Sequence, residues 1–279
     1  MPIKDVLLPL VGEPTEATIA AIDKCVAVAG DLGANMCAVA VEEDVFVRPQ
    51  VISTDLDNSA AAEAVRSVTD AQALLKAFDG AAIRFGLRNE QKLVRWAAAD
   101  IAPSLAKHAR LKDLSFVSVK SHESRSEKII EQLLFQSGHP ILLCPEERAA
   151  ELPVAFNDVL IAWDHSAPAA RAVADALPVL QSAETVRVVT ATDDSTADEM
   201  RSGADLVAHL AEHGVKAGFE AVKIGGSSIG KIFEAYVRAH AIDLLVMGGY
   251  GRSRLSEIMW GGATKTVIGQ PPCWVMMSR

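Results

Sequence analysis

The chain has 279 residues, half of them hydrophobic and only 5% aromatic, and its formal net charge is −9. An acidic chain of this kind is a poor partner for nucleic acid or for an anionic membrane surface, so we expect neither. No apolar run approaches the ~20 residues that a bilayer-spanning helix needs, and the N-terminal stretch lacks a signal-peptide pattern, which predicts a cytoplasmic location. The four cysteines form no CxxC pair, which favours buried, reduced thiols.

The first half of the chain alternates short apolar runs with helical patterns. Strands are predicted, in chain order, at residues 6–11, 36–41, 82–87, 114–119 and near 141. Residues 44–60, which include FVRPQVISTDLDNS, are predicted to form an inserted loop. A charged stretch at 146–154, which contains a proline, is predicted to link this half to the next.

The second half repeats the same alternation. Strands are predicted at residues 159–163, 185–192, 215–224, 243–249 and 273–277. Helices are predicted at residues 167–180 and 197–212, from residue 229 onward, and after Gly261. Strands that alternate with helices indicate parallel pairing and right-handed crossovers.

The two halves also look like copies of each other. DVLLPLVGEPTE begins at Asp5 and DVLIAWDHSAPA begins at Asp158, 153 residues later. Each half closes on a proline-led apolar strand, HPILLCP at 139–145 and QPPCWVMM at 270–277. A repeat of this length predicts an α/β protein of two tandem Rossmann-like domains, residues 1–148 and 155–279, each a five-stranded, mostly parallel sheet flanked by helices.

Two glycine clusters stand close to the C-terminus. Gly248 and Gly251 follow a buried strand, whereas Gly261 and Gly262 precede a helical stretch. Strand-end glycines allow a ligand to approach the backbone, and a helix start offers free N–H groups and a positive dipole end. Together they predict an anion site at the carboxyl ends of the strands, with Arg252 adding positive charge.

The spacing Gly248-x2-Gly251-x9-Gly261 after an apolar strand resembles the ATP-binding signature of the universal stress protein family, whose fold is of the HUP type. The resemblance implies an adenine-nucleotide ligand, ATP, ADP or AMP, with Mg²⁺ as an optional companion of its phosphates. Asp164 matches the aspartate that contacts the nucleoside, and Ala191 and Met247 match residues that line the adenine pocket. The remaining implied contacts are Ala162, Trp163, Gly248, Gly251, Arg252, Gly261, Gly262 and Ala263.

The sequence departs from that family pattern at several positions. Gly262 stands where the family has Ser or Thr, which removes one hydrogen bond worth about 1–2 kcal/mol to a charged acceptor. Trp163 is large for its position and either stacks on a base or fills the pocket. In the first half, Gly12 stands where the aspartate is expected and no phosphate cradle is readable, so we expect no nucleotide there.

Two other motifs suggest different chemistry. GGSSIGK at 225–231 satisfies the P-loop spacing, but Ile232 replaces the Mg²⁺-binding Ser or Thr, which favours a loop and a helix cap by Ser227 or Ser228. His209 and His213 stand four residues apart on a predicted helix, which favours a surface pair over a metal site because no third ligand is evident.

These patterns support two hypotheses for function. In the first, the chain is a tandem universal stress protein, a stress-response regulatory module that binds ATP or a related adenine nucleotide in its C-terminal domain and is not an enzyme. In the second, both domains are nucleotide-free scaffolds that present an interaction surface. In this family the last strands of two domains often pair, so the strands at 140–145 and 273–277 are expected to pair as a pseudo-dimer, and a homodimer is a further possibility.

Overall fold

The computed structural model describes residues 2–44, 54–193, 197–249 and 262–279, with the backbone alone described at 54–61 and 262–263. In the first half the elements run β1 (Asp5–Leu10), α1 (Glu16–Asp31), β2 (Asn35–Glu43), α2 (Thr54–Phe85), β3 (Asn89–Trp96), α3 (Ala98–Ala109), β4 (Leu114–Val119), α4 (Ser124–Gln136) and β5 (Ile141–Pro145). A 3-10 helix, Glu146–Glu151, then leads into the second half.

The second half has the same alternating order. Its elements are β6 (Asp158–Ala162), α5 (Ala167–Leu180), β7 (Thr185–Ala191), α6 (Ala197–Glu212), β8 (Ala217–Val222), α7 (Ile229–His240), β9 (Leu244–Gly248), α8 (Gly262–Gly269) and β10 (Trp274–Ser278). Among the described residues each half therefore contributes five strands and four helices, which confirms the predicted tandem α/β architecture.

The ten strands form one continuous sheet in the order β3-β2-β1-β4-β5-β10-β9-β6-β7-β8. All pairs are parallel except the central one, where β5 and β10 run antiparallel with Leu142 opposite Met276. The pairing expected between the two closing strands is thus confirmed, and the two halves share backbone hydrogen bonds as well as side-chain contacts.

Helices cover both faces of this sheet. The buried side chains of α1, α2, α5 and α6 share one apolar cluster with the sheet, and those of α3, α4, α7 and α8 share a second. Strands buried on both faces need near-continuous apolar runs, and β9 and β10 provide them.

Trp274 lies where the two halves meet. Its side chain is fully buried, and its ring makes edge contacts with Phe116 of β4 at 6.3 Å and with Phe156 at 6.0 Å between centroids. The indole N–H donates to the carbonyl oxygen of Pro153 at 3.0 Å, so its one polar group is satisfied. A single aromatic side chain thus contacts the first half, the linking segment and its own strand.

The strand predicted at 82–87 is wrong, because residues up to Phe85 belong to α2. The fully buried residues of this segment recur at helical spacing: Ala71, Leu74, Phe78, Ala81 and Ala82. The actual strand, β3, is an edge strand whose side chains are mostly exposed or half-buried, so its sequence lacks the apolar run that predicts a strand. The loop predicted at 44–60 is wrong from Thr54, where α2 begins, and residues 45–53 lie outside the described part of the chain.

We expect Trp274→Ala to lower the free energy of unfolding by about 3–5 kcal/mol, because it leaves a large cavity where the two halves meet. The measurement is urea unfolding followed by circular dichroism. Trp96→Ala is the matched control, since Trp96 is only half-buried on the edge strand β3 and should cost much less. Equal losses for the two variants would contradict the central role of Trp274.

Candidate functional site

The strand ends of the second half bring several predicted site residues to one edge of the sheet. Ala162, the last residue of β6, lies opposite Met247 of β9 on one side and Val189 of β7 on the other. Ala191 ends β7 and Gly248 ends β9. This edge lies at the carboxyl ends of parallel strands, where open α/β sheets bind ligands.

A cleft of about 520 Å³ opens at this edge, between the ends of β6 and β7 and the first turns of α6. We call it the α6 cleft. Three predicted residues line it, namely Trp163, Asp164 and Ala191, whereas Ala162, Met247 and Gly248 lie on the adjoining strand ends. Its other lining residues are His165, Thr190, Asp198, Glu199, Arg201, Ser202 and Asp205.

The contribution of α6 to the cleft was not predicted from the sequence. The acidic stretch at 193–199 has the composition of a solvated loop and helix start, and α6 begins within it, at Ala197. Yet one side of α6 brings three carboxylates to the cleft, those of Asp198, Glu199 and Asp205. Arg201 is the one positively charged α6 residue among the lining residues. The helical spacing of Asp198, Ser202 and Asp205 was the one available signal, since residues three and four apart share a face.

Trp163 forms the buried wall of the α6 cleft. Its side chain is only 8% exposed, and its indole N–H donates to the hydroxyl of Ser202 on α6 at 2.9 Å. Its backbone is also fixed, because its N–H donates to the carbonyl of Val189 and its carbonyl accepts from the hydroxyl of Thr190, both at 2.9 Å. The two roles expected for this residue, stacking on a base and filling the pocket, stay predictions.

Two adjacent small residues of α6, Ser202 and Gly203, face Trp163 and β8 respectively. Gly203, beside Ser202, packs so tightly on β8 that a Cβ atom there would lie 2.1 Å from the ring of Phe219. The helix therefore approaches the sheet closely at Gly203. The position of α6, and with it the width of the cleft, depends on these two adjacent small residues.

Asp164 stands exposed at the mouth of the cleft. One carboxylate oxygen accepts a hydrogen bond from the backbone N–H of Ser166 at 3.0 Å. Ser166 in turn caps α5 by accepting from the N–H of Ala169, and His165 between them adopts a left-handed φ of 59°. This tight turn fixes the direction of the carboxylate, which can accept a hydrogen bond from a ligand hydroxyl.

Gly248 is required by packing. A Cβ atom at this position would lie 2.4 Å from the backbone nitrogen of Ala169 and 2.6 Å from the carbonyl carbon of Pro168. The first turn of α5 therefore rests directly on the end of β9. The sequence suggested that this glycine opens the backbone to a ligand, whereas the described neighbours supply a structural reason for it.

The structure describes only part of the segment that carries the remaining predicted site residues, Gly251 to Ala263. Gly251, Arg252 and Gly261 lie outside the described residues. Gly262 and Ala263 begin α8, which confirms that a helix follows Gly261. The predicted roles of all five residues in binding phosphate stay predictions.

The corresponding edge of the first half holds a smaller cleft, of about 150 Å³, beside Gly12. Side chains from two helices cross it. The backbone N–H of Glu43 donates to the hydroxyl of Ser67 on α2 at 2.6 Å, and Arg125 at the start of α4 pairs with the Glu43 carboxylate at 2.9 Å. Protein groups thus take up the backbone N–H and the carboxylate of Glu43 at this edge.

The P-loop-like segment is a loop followed by a helix cap. Gly225 and Gly226 have positive φ angles of 56° and 76°, and the hydroxyl of Ser228 caps α7 by accepting from the N–H of Lys231. The N–H of Gly225 donates to the carboxylate of Asp193 at 2.7 Å, so one amide that a P-loop would offer to phosphate is directed at an acidic side chain. The alternative interpretation as a loop and cap is confirmed.

His209 and His213 lie side by side on α6 and the turn after it, with ring centroids 4.8 Å apart. Within the described part of the chain, no group of three or more His, Cys, Asp or Glu side chains is placed to hold a metal ion. Nor does any described helix have the length and apolar character needed to cross a membrane.

Comparison with known proteins agrees with this geometry. Residues 155–279 match the model of the universal stress protein family. No curated protein sequence matches the chain significantly. Among solved structures, the chain is similar to a universal stress protein from Archaeoglobus fulgidus, with 15% identity, a TM-score of 0.64, and coverage of 99% of this chain and 96% of that one.

Two further solved structures share the whole fold. One, assigned to the same family, comes from Pseudomonas aeruginosa and has 15% identity, a TM-score of 0.60, and coverage of 99% of this chain and 93% of that one. The other is the cytoplasmic domain of a prokaryotic cation chloride cotransporter, with 11% identity, a TM-score of 0.54, and coverage of 99% and 96%. Identities this low show the fold alone.

We expect Gly248→Ala to destabilise the protein by about 1–3 kcal/mol or more, because backbone atoms of α5 occupy the space that the added methyl needs. Thermal unfolding measures the effect. Gly218→Ala in β8 is the matched control, since nothing lies within 4 Å of the Cβ position there and alanine suits a strand better than glycine. A Gly248→Ala variant as stable as the control would refute the packing role.

Proposed function

We propose that the second half of this chain, whose residues 155–279 match the model of the universal stress protein family, binds an adenine nucleotide in the α6 cleft and acts as a regulatory module in a stress response. The observation that carries the proposal is the cleft itself. Its volume of about 520 Å³ suits a nucleoside, and it lies at the carboxyl ends of the parallel strands with Asp164 fixed at its mouth.

The negative charge on the α6 side of the cleft indicates the orientation of the nucleotide in this proposal. The α6 side of the cleft carries Asp198, Glu199 and Asp205, and these carboxylates would repel phosphates. They can accept hydrogen bonds from the amino group of adenine and from ribose hydroxyls. We therefore place the nucleoside beside α6 and direct the phosphates toward Gly248 and the start of α8, where free N–H groups of a helix terminus favour anions.

This proposal describes a binding module rather than an enzyme. Asp164 would hold the ribose, while Ala191, which lines the cleft, and Met247, on the adjoining strand end, would contact the base. ATP, ADP and AMP all fit this arrangement, and Mg²⁺ would accompany the longer phosphate chains. The first half supplies the scaffold and, by our proposal, no second nucleotide site, because Ser67 and Arg125 cross its cleft.

One observation favours a second candidate function, that of a nucleotide-free scaffold. Trp163 fills the inner part of the cleft and is held there by Ser202, which leaves less depth for a base. In that case the output is a protein-binding surface. Cytoplasmic location and homodimer formation belong to both proposals; the four free cysteines fit a reducing compartment.

Calorimetric titration of the full chain with ATP, ADP and AMP tests the proposal. We expect one nucleotide per chain, and Asp164→Ala should weaken binding about tenfold because it removes one charge-assisted hydrogen bond. Glu13→Ala, at the first-half cleft, is the matched control and should have no effect. Absence of binding at millimolar nucleotide would instead support the scaffold.

The orientation has its own test. Asp205→Asn alters the nucleoside end, so it should change the affinities for AMP and ATP by the same factor. Gly251→Glu adds negative charge where the phosphates are expected, so it should weaken ATP more than AMP. The reverse pattern would show that the nucleotide lies the other way round.

A further inference from the structure

A second cleft lies at the opposite edge of the sheet, in the first half. It has a volume of about 390 Å³ and is bounded by the start of β1, by β2 and β3, and by the end of α3 with the turn that follows. We call it the basic cleft. Three lysines and one histidine converge on it from β3 and from the end of α3 with the turn that follows: Lys92, Lys107, His108 and Lys112.

Two of these lysines are held in place by carboxylates. The ammonium group of Lys112 lies 2.8 Å from both oxygens of Asp5, and its side chain is only 15% exposed. The ammonium group of Lys92 lies 3.2 Å from a Glu90 oxygen. Lys107 is in none of the ion pairs among the described residues, so the lysines outnumber the carboxylates that hold them.

The pKa of His108 reflects its burial and the charges around it. Burial lowers the pKa of its imidazole first, the positive charge of Lys92 lowers it further, Glu90 opposes this, and Lys112 adds to the lowering. Its ring packs against Trp96 with centroids 5.6 Å apart. An anion bound between the lysines would favour the protonated imidazole and so raise this pKa.

The floor of the basic cleft is apolar. Leu7 is fully buried, and Cys37 is 2% exposed. Burial raises the pKa of the Cys37 thiol, so this side chain is neutral at physiological pH and presents a small apolar surface. At the lip, Leu111 is 88% exposed, an unusual state for a leucine next to a cavity.

Stabilisation of α3 explains part of this arrangement. Lys107 and His108 stand in its last turn, where cations interact favourably with the helix dipole. That interaction does not account for Lys92 and Lys112, which reach the same cleft from β3 and from the turn after α3. Small-molecule sites combine an apolar lining with a few placed charged groups, and lysines over an apolar floor suit an anion that carries an apolar part.

We propose that the basic cleft binds a carboxylate that carries an apolar tail, with the carboxylate among Lys92, Lys107 and His108 and the tail over Leu7, Cys37 and Leu111. The bound ligand would cover the exposed leucine and balance the excess positive charge. The site is independent of the α6 cleft, since it belongs to the other half and to the opposite ends of the strands.

Octanoate is the probe, added to the full chain while the His108 side chain is followed by NMR. We expect saturable shifts with one octanoate per chain and a rise in the pKa of His108. Sodium chloride at the same ionic strength should produce neither effect, because it lacks the tail, and 1-octanol should bind much more weakly, because it lacks the charge. A His108→Gln variant identifies the resonance.

The double variant Lys92→Gln/Lys107→Gln should weaken octanoate binding about tenfold or more, whereas Lys128→Gln/Lys231→Gln, two exposed lysines elsewhere, should not. Both lysines removed are at the surface, so the fold should be retained, and unchanged thermal unfolding verifies this. The proposal is overturned if octanoate gives no saturable shift, if 1-octanol binds equally well, or if the double variant binds octanoate as the wild type does.

Discussion

The antiparallel pairing of β5 with β10 is the interaction on which the rest of this structure depends. Each half is a parallel sheet that would otherwise end in an exposed edge strand, with its N–H and C=O groups open to pairing with other chains. Here each closing strand covers the edge of the other, with Leu142 opposite Met276. Trp274 is buried at the same place, so apolar packing and backbone hydrogen bonds hold the halves together.

That junction leaves the two halves free to diverge at the carboxyl ends of their strands. In the second half, Ser202 and Gly203 let α6 lie close to the sheet beside Trp163, and a cleft remains open at Asp164. In the first half, Ser67 and Arg125 both bond to Glu43 across the equivalent edge. One scaffold therefore carries an open and a closed version of the same site, and the difference lies in a few polar contacts.

The fold itself does not determine the function. The fold is shared, over nearly the whole chain, with a universal stress protein and with the cytoplasmic domain of a cation chloride cotransporter. The chemistry that bears on function lies at the clefts of this chain. One presents carboxylates from α6 around a buried indole, and the other presents lysines over an apolar floor.

The sequence by itself determined the alternation of strands and helices, the internal repeat, and the strand ends that carry Ala162, Ala191 and Met247. These follow from local patterns, because buried parallel strands require apolar runs and strand ends share one edge. The sequence did not reveal β3, because an exposed edge strand needs no apolar run. Nor did it reveal that Gly248 packs against the first turn of α5. Only the tertiary structure brought α6 to the carboxyl ends of β6 and β7 and gathered residues 5, 92 and 107–112 around one cleft, since contacts between residues far apart in the chain depend on how the elements pack.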